Sequence, residues 1–438
     1  MDTLARWIWD PVLSLVYVEI GVIFVIITGA LAWRKSLWVA FRIVRSDKSD
    51  YGNGAIPHTK ALISSIAATV GIGNLAGVAT AIHLGGPGAL FWMWMSALFG
   101  MSFKMASTYF AIKDGPSDSR SPLFATPMAY LEKHVTHRWR FIPATVAGLI
   151  LIKGLVLANL VQSNSVAHAL HNRWDIPNIA TSTVLTCFIA VVILGGLRRI
   201  VDYTAAIAPW MMVLYVVAGL FILLGDPLRT VNSLGQVFYY AFRPYSIMGG
   251  LAGVAVLRSM QFGISRGIFS HMSGEGVGPF LQATNREEPA IGAFMAAVTP
   301  FVDTIIICTV TGLVIISGSL WQVETGAYLT SESFESGLGL TGQAVVIACL
   351  IVFAFTTISA FAHISERCYQ YLGGKRILNY RLVFLLVTFM GPLLKLTFVW
   401  SLSDVIIAML VVCHLLPLLY ITLRRSRDLS RDLTEFSA

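Results

Sequence analysis

The sequence predicts an all-α polytopic membrane protein, and three observations point to that fold class. Of the 438 residues, 56% are hydrophobic and only 12% are charged, about half the charged share of a typical soluble protein. The mean hydropathy is +0.73. The apolar residues form continuous runs, such as 18–33 and 182–197, and lack the alternation of a barrel strand. Because lipid cannot satisfy backbone polar groups, such runs indicate transmembrane helices.

About eleven runs are long enough to cross a hydrocarbon core of about 30 Å. We predict spans at 11–32, 60–84, 88–111, 141–168, 178–197, 204–224, 248–270, 291–318, 341–366, 380–397 and 401–423. The loops between them are too short for a separate catalytic domain. The lipid bilayer is therefore the expected surrounding of most of the chain.

Lys and Arg residues outside these spans are distributed unevenly. They place 21 charges on one side of the membrane and four, on Arg6, Arg173, Arg229 and Arg243, on the other. The positive-inside rule then predicts an outside N-terminus and a cytoplasmic C-terminus, in a bacterial inner membrane. The net charge of +8 is thus a topology signal, and we expect no nucleic-acid partner.

Two glycine-rich interruptions suggest an internal repeat. One lies at 67–74 in the middle of the second predicted span, and the other at 263–279, at and beyond the end of the seventh. Glycine interruptions at corresponding places in two halves are typical of inverted-repeat transporters. We therefore predict a peripheral N-terminal helix with a basic interfacial segment, two five-helix repeats and a cytoplasmic tail, at 1–50, 51–225, 226–425 and 426–438.

The first interruption contains Gly71 and Gly73 beside Asn74. Each glycine costs a helix about 1 kcal/mol relative to alanine. A break at membrane depth exposes carbonyl groups that suit a cation and N–H groups that suit a carboxylate. The alternative is that these glycines only permit close helix packing.

The role of other polar residues in the spans can be interpreted in two ways. Gln162 and Asn164 either bond neighbouring helices or face a substrate cavity. Thr356 and Thr357 either bond their own helix backbone or offer hydroxyl ligands.

Asp303 is costly in lipid, so it must face the interior and find a partner. We expect an Arg or a hydroxyl as that partner, with Lys153, Arg258 and Arg266 as candidate counter-charges. A proton site at Asp303 is the alternative. No paired catalytic aspartate, HExxH or serine-hydrolase motif lies in the spans, so we expect no enzyme.

Several stretches resemble the alanine/glycine:cation symporter family, the sodium:alanine symporters. They are 59–94, 266–270, 300–304, 311–314 and 353–357. The resemblance runs over about 55–425. It implies a leucine-transporter-type fold, in which a 5+5 inverted repeat of ten helices is joined by one extra N-terminal helix.

The resemblance also implies a set of functional residues. Backbone carbonyls of Ala67 and Val70 and hydroxyls of Thr356 and Thr357 would hold Na⁺, a hard ion that prefers oxygen ligands. The substrate amino acid would contact Gly71, Gly73, Asn74, Gln162, Asn164, Thr357 and Phe361.

The chain departs from the family pattern at three places. It has Ile72 where the family has Thr, Phe361 where it has Trp, and His271-Met272 where it has Asn-Glu. Phe361 would leave more room than Trp and no indole N–H. An amino acid somewhat larger than alanine is therefore a hypothesis.

Together these features predict a secondary active transporter, in which Na⁺ drives symport of a small neutral amino acid such as alanine or glycine by alternating access. One alternative is the same fold with proton coupling, through Asp303 or Glu366, or with an altered substrate. Another is a transport-inactive amino-acid sensor or a channel. The sequence specifies no oligomeric state, and a monomer is compatible with it.

Overall fold

We analysed the protein as a computed structural model. The structure describes residues 9, 11–29, 35–46, 58–116, 118, 121–195, 197–243, 252–282, 289–318 and 320–437. All regular secondary structure in these ranges is helical. The all-α prediction is thereby confirmed for the described part of the chain.

The helices of the first half follow one another with short connections. They are α1 (Pro11–Thr28), α2 (Ser36–Ser46), α3 (His58–Thr69), α4 (Gly73–Gly85), α5 (Ala89–Asp114), α6 (Pro127–His134), α7 (His137–Trp174), α8 (Asn178–Ile193), α9 (Leu197–Gly225) and α10 (Pro227–Ala241).

The second half of the chain is likewise a succession of helices. Its helices are α11 (Ala252–His271), α12 (Gly278–Gln282), α13 (Pro289–Ser317), α14 (Gly326–Leu338), α15 (Leu340–Tyr371), α16 (Ile377–Leu393), α17 (Phe398–Arg424) and α18 (Ser426–Ser437).

Length and composition allow several of these helices to cross a membrane. Among the described residues, α7, α13, α15, α17 and the 202–225 part of α9 each suffice alone, and α3 with α4 forms a sixth span bent by 49°. Three shorter apolar helices lie at Val12–Thr28, Asn178–Ile193 and Ile377–Leu393. The chain is thus a multi-pass membrane protein, whereas the count of eleven spans stays a prediction.

The two predicted interruptions have different outcomes. The first is confirmed, because α3 ends at Thr69 and α4 begins at Gly73 after the 49° bend. The second is confirmed in part, because the chain leaves the helix at 272–277, within the predicted 263–279, while the first glycines of that stretch are helical. Gly263 and Gly267 lie inside the continuous helix α11, where an added Cβ would come within 2.4 Å of the Ala89 carbonyl oxygen and 2.1 Å of Ser96 Oγ on α5. These glycines serve close packing, and the chain leaves the helix only at 272–277.

The core is formed by two groups of helices. α11 and α13 pack along α5, and α11 also packs on α4. α15 packs along α7 and α9, and it contacts α3. The broken α3–α4 pair therefore lies between the two groups, which places its interruption where both can supply side chains.

Two segments predicted as a loop and a tail are packed helices. α14 lies in the predicted external loop 321–340, and its Leu329 and Phe334 are fully buried. In α18, Leu429 and Leu433 are fully buried as well. Three polar residues of α14 are buried as well, so this helix lies inside the bundle, whereas α18 has exposed polar positions opposite its buried leucines and covers part of the bundle surface.

Candidate functional site

The interruption between α3 and α4 is stabilised by side chains. In an unbroken helix the Gly71 and Ile72 N–H groups would donate to carbonyls four residues earlier. Here Gly71 N–H donates to Asn74 Oδ1 (2.8 Å), and Ile72 N–H donates to Gln162 Oε1 (3.1 Å). The break is therefore a built feature, capped locally by Asn74 and across the bundle by Gln162 of α7.

This capping changes the partners of the carbonyl groups around the break. The Ala67 carbonyl loses the Gly71 N–H that a continuous helix would supply. The Val70 carbonyl loses the Asn74 N–H, which donates instead to the Gly71 carbonyl at 3.1 Å. Both carbonyls predicted as cation ligands thus lie where the helical hydrogen-bond pattern is interrupted.

Thr357 of α15 meets the break from the opposite side. Its hydroxyl donates to the Val70 carbonyl oxygen at 3.4 Å, and the side chain is fully buried. The neighbouring Thr356 hydroxyl donates to the Phe353 carbonyl of its own helix at 3.1 Å. The structure brings Thr357 to the break, while Thr356 makes the backbone bond that the sequence left as its alternative.

Glycine is required at both predicted positions by close approach. A Cβ on Gly71 would lie 2.8 Å from Thr357 Oγ1 and 3.2 Å from Gln162 Nε2. A Cβ on Gly73 would lie 2.9 Å from the Cα of Ser270 on α11. The break therefore contacts α7, α11 and α15, and side chains at these positions would separate it from them.

Asn164 does not reach the break. Its Nδ2 donates to the carbonyls of Gly391 (2.8 Å) and Leu394 (2.7 Å) at the end of α16, and its Oδ1 has no hydrogen-bond partner in the described structure. Residues two apart on a helix point in different directions, so Gln162 and Asn164 cannot face one cavity in the same way. The structure thus shows the helix-to-helix role for Asn164.

Phe361 lies one helical turn beyond Thr357 and is fully buried. The Lys153 Nζ of α7 stands 5.4 Å from the centre of its ring, within the range of a cation–π contact. Lys153 is hydrogen-bonded to Glu275 in the segment between α11 and α12. A buried ion pair therefore adjoins Phe361.

Asp303 of α13 is surrounded by neutral donors. Asn74 Nδ2 donates to Oδ1 (2.8 Å), and the hydroxyls of Ser270 and Thr304 donate to Oδ2 (2.7 and 2.8 Å). The hydroxyl partner predicted from sequence is confirmed. The expected counter-charges are wrong for Lys153 and Arg266, because these pair with Glu275 and Asp404 instead.

The second carboxylate considered for a proton, Glu366, is neutralised locally. Arg381 Nε and Nη2 donate to its two oxygens at 2.7 and 3.1 Å. This bidentate pair ties α15 to α16 near one end of both helices, so Asp303 is the better candidate for an intramembrane ion site.

A cavity of about 1120 Å³ lies on one side of the break. Its lining includes Glu324 and Tyr328 from the segment predicted outside, and it reaches Arg266, Trp400 and Asp404. Arg266 makes two hydrogen bonds to the Asp404 carboxylate at 2.7 and 2.9 Å, and its guanidinium lies 4.8 Å from the centre of the Trp400 ring. On α11, Phe269 packs on the same Trp400 ring, with the ring centres 4.9 Å apart.

Sequence reasoning missed two contributors to the site. Thr330 of α14 donates its hydroxyl to the Leu75 carbonyl (3.1 Å) in the π-helical first turns of α4. Glu275 is the second, and its pairing with Lys153 was not foreseen. The high density of small and polar residues in 326–336 was the available signal for a packed helix in that loop.

Comparison with known proteins agrees with this architecture. The model of the sodium:alanine symporter family matches residues 1–432. The sodium/alanine symporter of Methanococcus maripaludis is 34% identical over 432 residues, covering 96% of this chain and 94% of its own length.

Two further comparisons are less similar in sequence. A putative sodium/proton-dependent alanine carrier protein of Bacillus subtilis is 29% identical and covers 91% of this chain and 84% of its own length. Among solved structures, a Na⁺-coupled sialic acid symporter is similar with a TM-score of 0.53 at 15% identity, covering 86% of this chain and 82% of its own. The structural likeness concerns the fold alone.

Proposed function

The chain belongs to the sodium:alanine symporter family, a family of transporters and not of enzymes, and from that premise we propose that it carries a small neutral amino acid together with Na⁺. Alanine and glycine are the proposed substrates. The relatives named for alanine and sodium support this choice, and so does the chemistry of the break.

The contact between the Val70 carbonyl and the Thr357 hydroxyl is the observation that carries the proposal. These oxygens are 3.4 Å apart. Two ligands at about 2.4 Å from one hard cation, set roughly at right angles, are also about 3.4 Å apart. The pair therefore has a spacing suited to Na⁺. The Ala67 carbonyl and the Thr356 hydroxyl would complete the set of neutral oxygens.

The N–H groups that immediately precede α4 offer a place for the substrate carboxylate. Gly71 and Ile72 N–H now donate to neutral amide oxygens of Asn74 and Gln162. A carboxylate is a stronger acceptor, and the positive end of a helix favours it. On binding, it would displace these amide oxygens, which then become free to accept from the substrate ammonium. Gly73 keeps α11 close enough to enclose the ligand.

Two departures from the family pattern, Ile72 and Phe361, concern the size of the substrate side chain. The buried phenyl ring replaces a larger indole, which favours a side chain somewhat larger than that of alanine. Competition of labelled alanine uptake by serine, valine and glutamine measures this preference. A strict restriction to alanine and glycine would contradict the larger pocket and leave the symport proposal intact.

Two ion pairs near the break support an alternating-access mechanism. The cavity on the predicted outside ends at the Arg266–Asp404 pair. The Lys153–Glu275 pair lies toward the predicted cytoplasmic side, where it joins α7 to the segment after α11. We propose that each pair separates in turn as two five-helix repeats, 51–225 and 226–425, move relative to each other. The N-terminus would be outside a bacterial inner membrane.

The test is uptake of radiolabelled alanine into proteoliposomes under an inward Na⁺ gradient, and separately under an inward proton gradient. We expect uptake with Na⁺ and a raised half-saturating Na⁺ concentration in Thr357→Ala. Thr341→Ala, an exposed threonine at the start of the same helix, is the matched control.

Any other result of the uptake experiment would support one of the alternative functions. Uptake driven by protons alone would replace Na⁺ coupling by proton coupling. Alanine binding without flux would indicate a sensor, and flux that does not saturate would indicate a channel.

A further inference from the structure

We propose that His271 and His414 are positioning residues, which hold the segment 272–277 so that Glu275 meets Lys153. The inference rests on the proposed symport function, in which the Lys153–Glu275 pair forms one of the two closures. Both histidine side chains are fully buried, that of His271 at the end of α11 and that of His414 in α17. Neither is among the proposed ligands of the ion or the amino acid.

The segment between α11 and α12 has a backbone that depends on contacts around it. Met272, Gly274 and Gly276 have φ angles of 54°, 87° and 80°. A side chain crowds the backbone in this left-handed region, so Met272 adopts it only where its surroundings compensate. Glu275 lies between the two glycines, and the direction of its side chain therefore depends on how the segment is held.

His271 supports the start of this segment. Its Nδ1 accepts a hydrogen bond from the Ser273 N–H at 3.2 Å, across the left-handed Met272. An N–H group can only donate, so Nδ1 carries no proton and the ring carries its proton on Nε2. Nε2 then donates to Ser96 Oγ of α5 at 3.1 Å, and that hydroxyl donates to the Met93 carbonyl at 2.8 Å. The start of the segment is thereby tied to α5.

His414 supports the middle of the segment with the opposite tautomer. Its Nδ1 lies 2.7 Å from the Gly274 carbonyl oxygen, which can only accept, so Nδ1 carries the proton. In the neutral ring Nε2 then accepts from the Tyr130 hydroxyl of α6 at 2.6 Å, and Ser107 Oγ of α5 lies 2.9 Å from that hydroxyl. Gly276 permits this approach, because a Cβ there would lie 2.9 Å from Cδ2 of the imidazole.

The two rings fix the segment to different parts of the bundle. His271 ties it to α5, whereas His414 ties it to α17 and, through Tyr130, to α6. Glu275 directly follows the carbonyl that His414 holds, so a shift of that carbonyl moves the carboxylate relative to Lys153, its hydrogen-bond partner. The formation of this closure therefore depends on both histidines.

Asparagine variants separate the two bonds that each ring makes. The asparagine amide reaches as far as Nδ1 but not as far as Nε2, so it can accept from Ser273 or donate to Gly274. Leucine fills a similar space and makes neither bond. We therefore expect His271→Asn and His414→Asn to keep most of the wild-type uptake, which the leucine variants lose.

The first measurement is Na⁺-driven uptake of labelled alanine into proteoliposomes. His271→Leu and His414→Leu should each lower the maximal rate about tenfold and change the KM less than about twofold, because neither residue contacts the substrate. His83→Leu is the matched control with an unchanged rate, since it removes a bond of the same kind, from His83 Nδ1 to the Trp321 carbonyl at 2.9 Å. Leucine variants with the wild-type rate would overturn the inference.

The second measurement asks whether His414 acts through Glu275. In a Lys153→Met/Glu275→Gln background there is no ion pair to align, so adding His414→Leu should lower the rate less than about twofold. The thermal unfolding midpoint replaces the rate if this background carries no alanine, and His414→Leu should then lower it less than in wild type. An equal effect in both backgrounds would overturn the positioning role.

The third measurement is solid-state ¹⁵N NMR of the histidine rings in the full-length protein in liposomes. The signals lost in His271→Asn should belong to a ring protonated on Nε2, and those lost in His414→Asn to a ring protonated on Nδ1. The reverse tautomer at either position would overturn its assigned bonds. This readout requires no flux, so the expected tautomers in a protein that carries no alanine would contradict the symport proposal and support the contacts.

Discussion

Neutralising one partner of the Lys153–Glu275 pair should destabilise the protein far more than neutralising both. The Lys153 side chain is 1% exposed and that of Glu275 is fully buried. Glu275 accepts from Lys153 at Oε2, and its Oε1 has no hydrogen-bond partner among the described residues. Lys153→Met therefore leaves a buried carboxylate, and Glu275→Gln leaves a buried ammonium, each without its counter-charge.

The magnitude follows from this burial. Removing one partner of a buried pair costs about 3–5 kcal/mol, whereas replacing both by neutral groups is often nearly neutral. Unfolding entropy scales to about 0.9 kcal/mol per kelvin for a chain of this length, so each single variant should lower the unfolding midpoint by about 3–5 °C. The double variant Lys153→Met/Glu275→Gln should recover most of that loss.

The assay is thermal unfolding in detergent micelles, followed by intrinsic fluorescence for the four proteins of a double-mutant cycle. Lys60→Met is the matched control, because Lys60 and Asp202 form a half-exposed pair at 2.8 Å. Its loss should change stability by less than about 1 kcal/mol. Single effects that simply add in the double variant would refute the reasoning, since they would mean that the two charges do not depend on each other.

Three further predictions concern the break, the bundle and the C-terminal helix. Gly71→Ala places a Cβ 2.8 Å from Thr357 Oγ1, so it should cost about 1–3 kcal/mol and reduce Na⁺-driven alanine uptake at least tenfold; wild-type uptake would contradict the close approach. Asn164→Ala should lower the unfolding midpoint and leave the KM for alanine unchanged, whereas a raised KM at wild-type stability would restore its cavity role. Burial raises the pKa of Asp432, but hydrogen bonds from Lys113 and from a tyrosine hydroxyl outweigh it and hold that pKa below its ordinary value of 3.8. The contribution of Asp432 to the docking of α18 is therefore complete above about pH 4 and is lost as the pH falls further. Asp432→Asn should increase tryptic cleavage within α18 at neutral pH. Unchanged cleavage would mean that apolar packing alone holds the helix.

The fold class and the first break were predictable from local properties. Apolar runs of about twenty residues and the scarcity of charge leave helices in lipid as the available structure. Gly71 and Gly73 mark the place where a helix is weakest, and α3 and α4 separate there. The same reasoning failed at Gly263 and Gly267, because a glycine that ends a helix and a glycine that admits a neighbouring helix look alike in sequence.

The site was predictable in part. Gln162 and Thr357 were identified as candidates, and the structure brings both to the break. Asn164 and Thr356 carried the same sequence signal but bond elsewhere. Which of two neighbouring polar residues faces a cavity depends on the rotation of its helix, and packing against other helices sets that rotation.

The sequence by itself determined that most of this protein lies in lipid, that it is helical, which family it belongs to and where its first broken helix lies. Each of these properties depends on composition or on residues close together in the chain. Only the tertiary structure decided the partners of the buried charges. Lys153 and Glu275 are 122 residues apart, and Arg266 and Asp404 are 138 apart. A buried charge requires a partner, but its chemistry does not specify which one, and the choice is made by the helices that pack face to face.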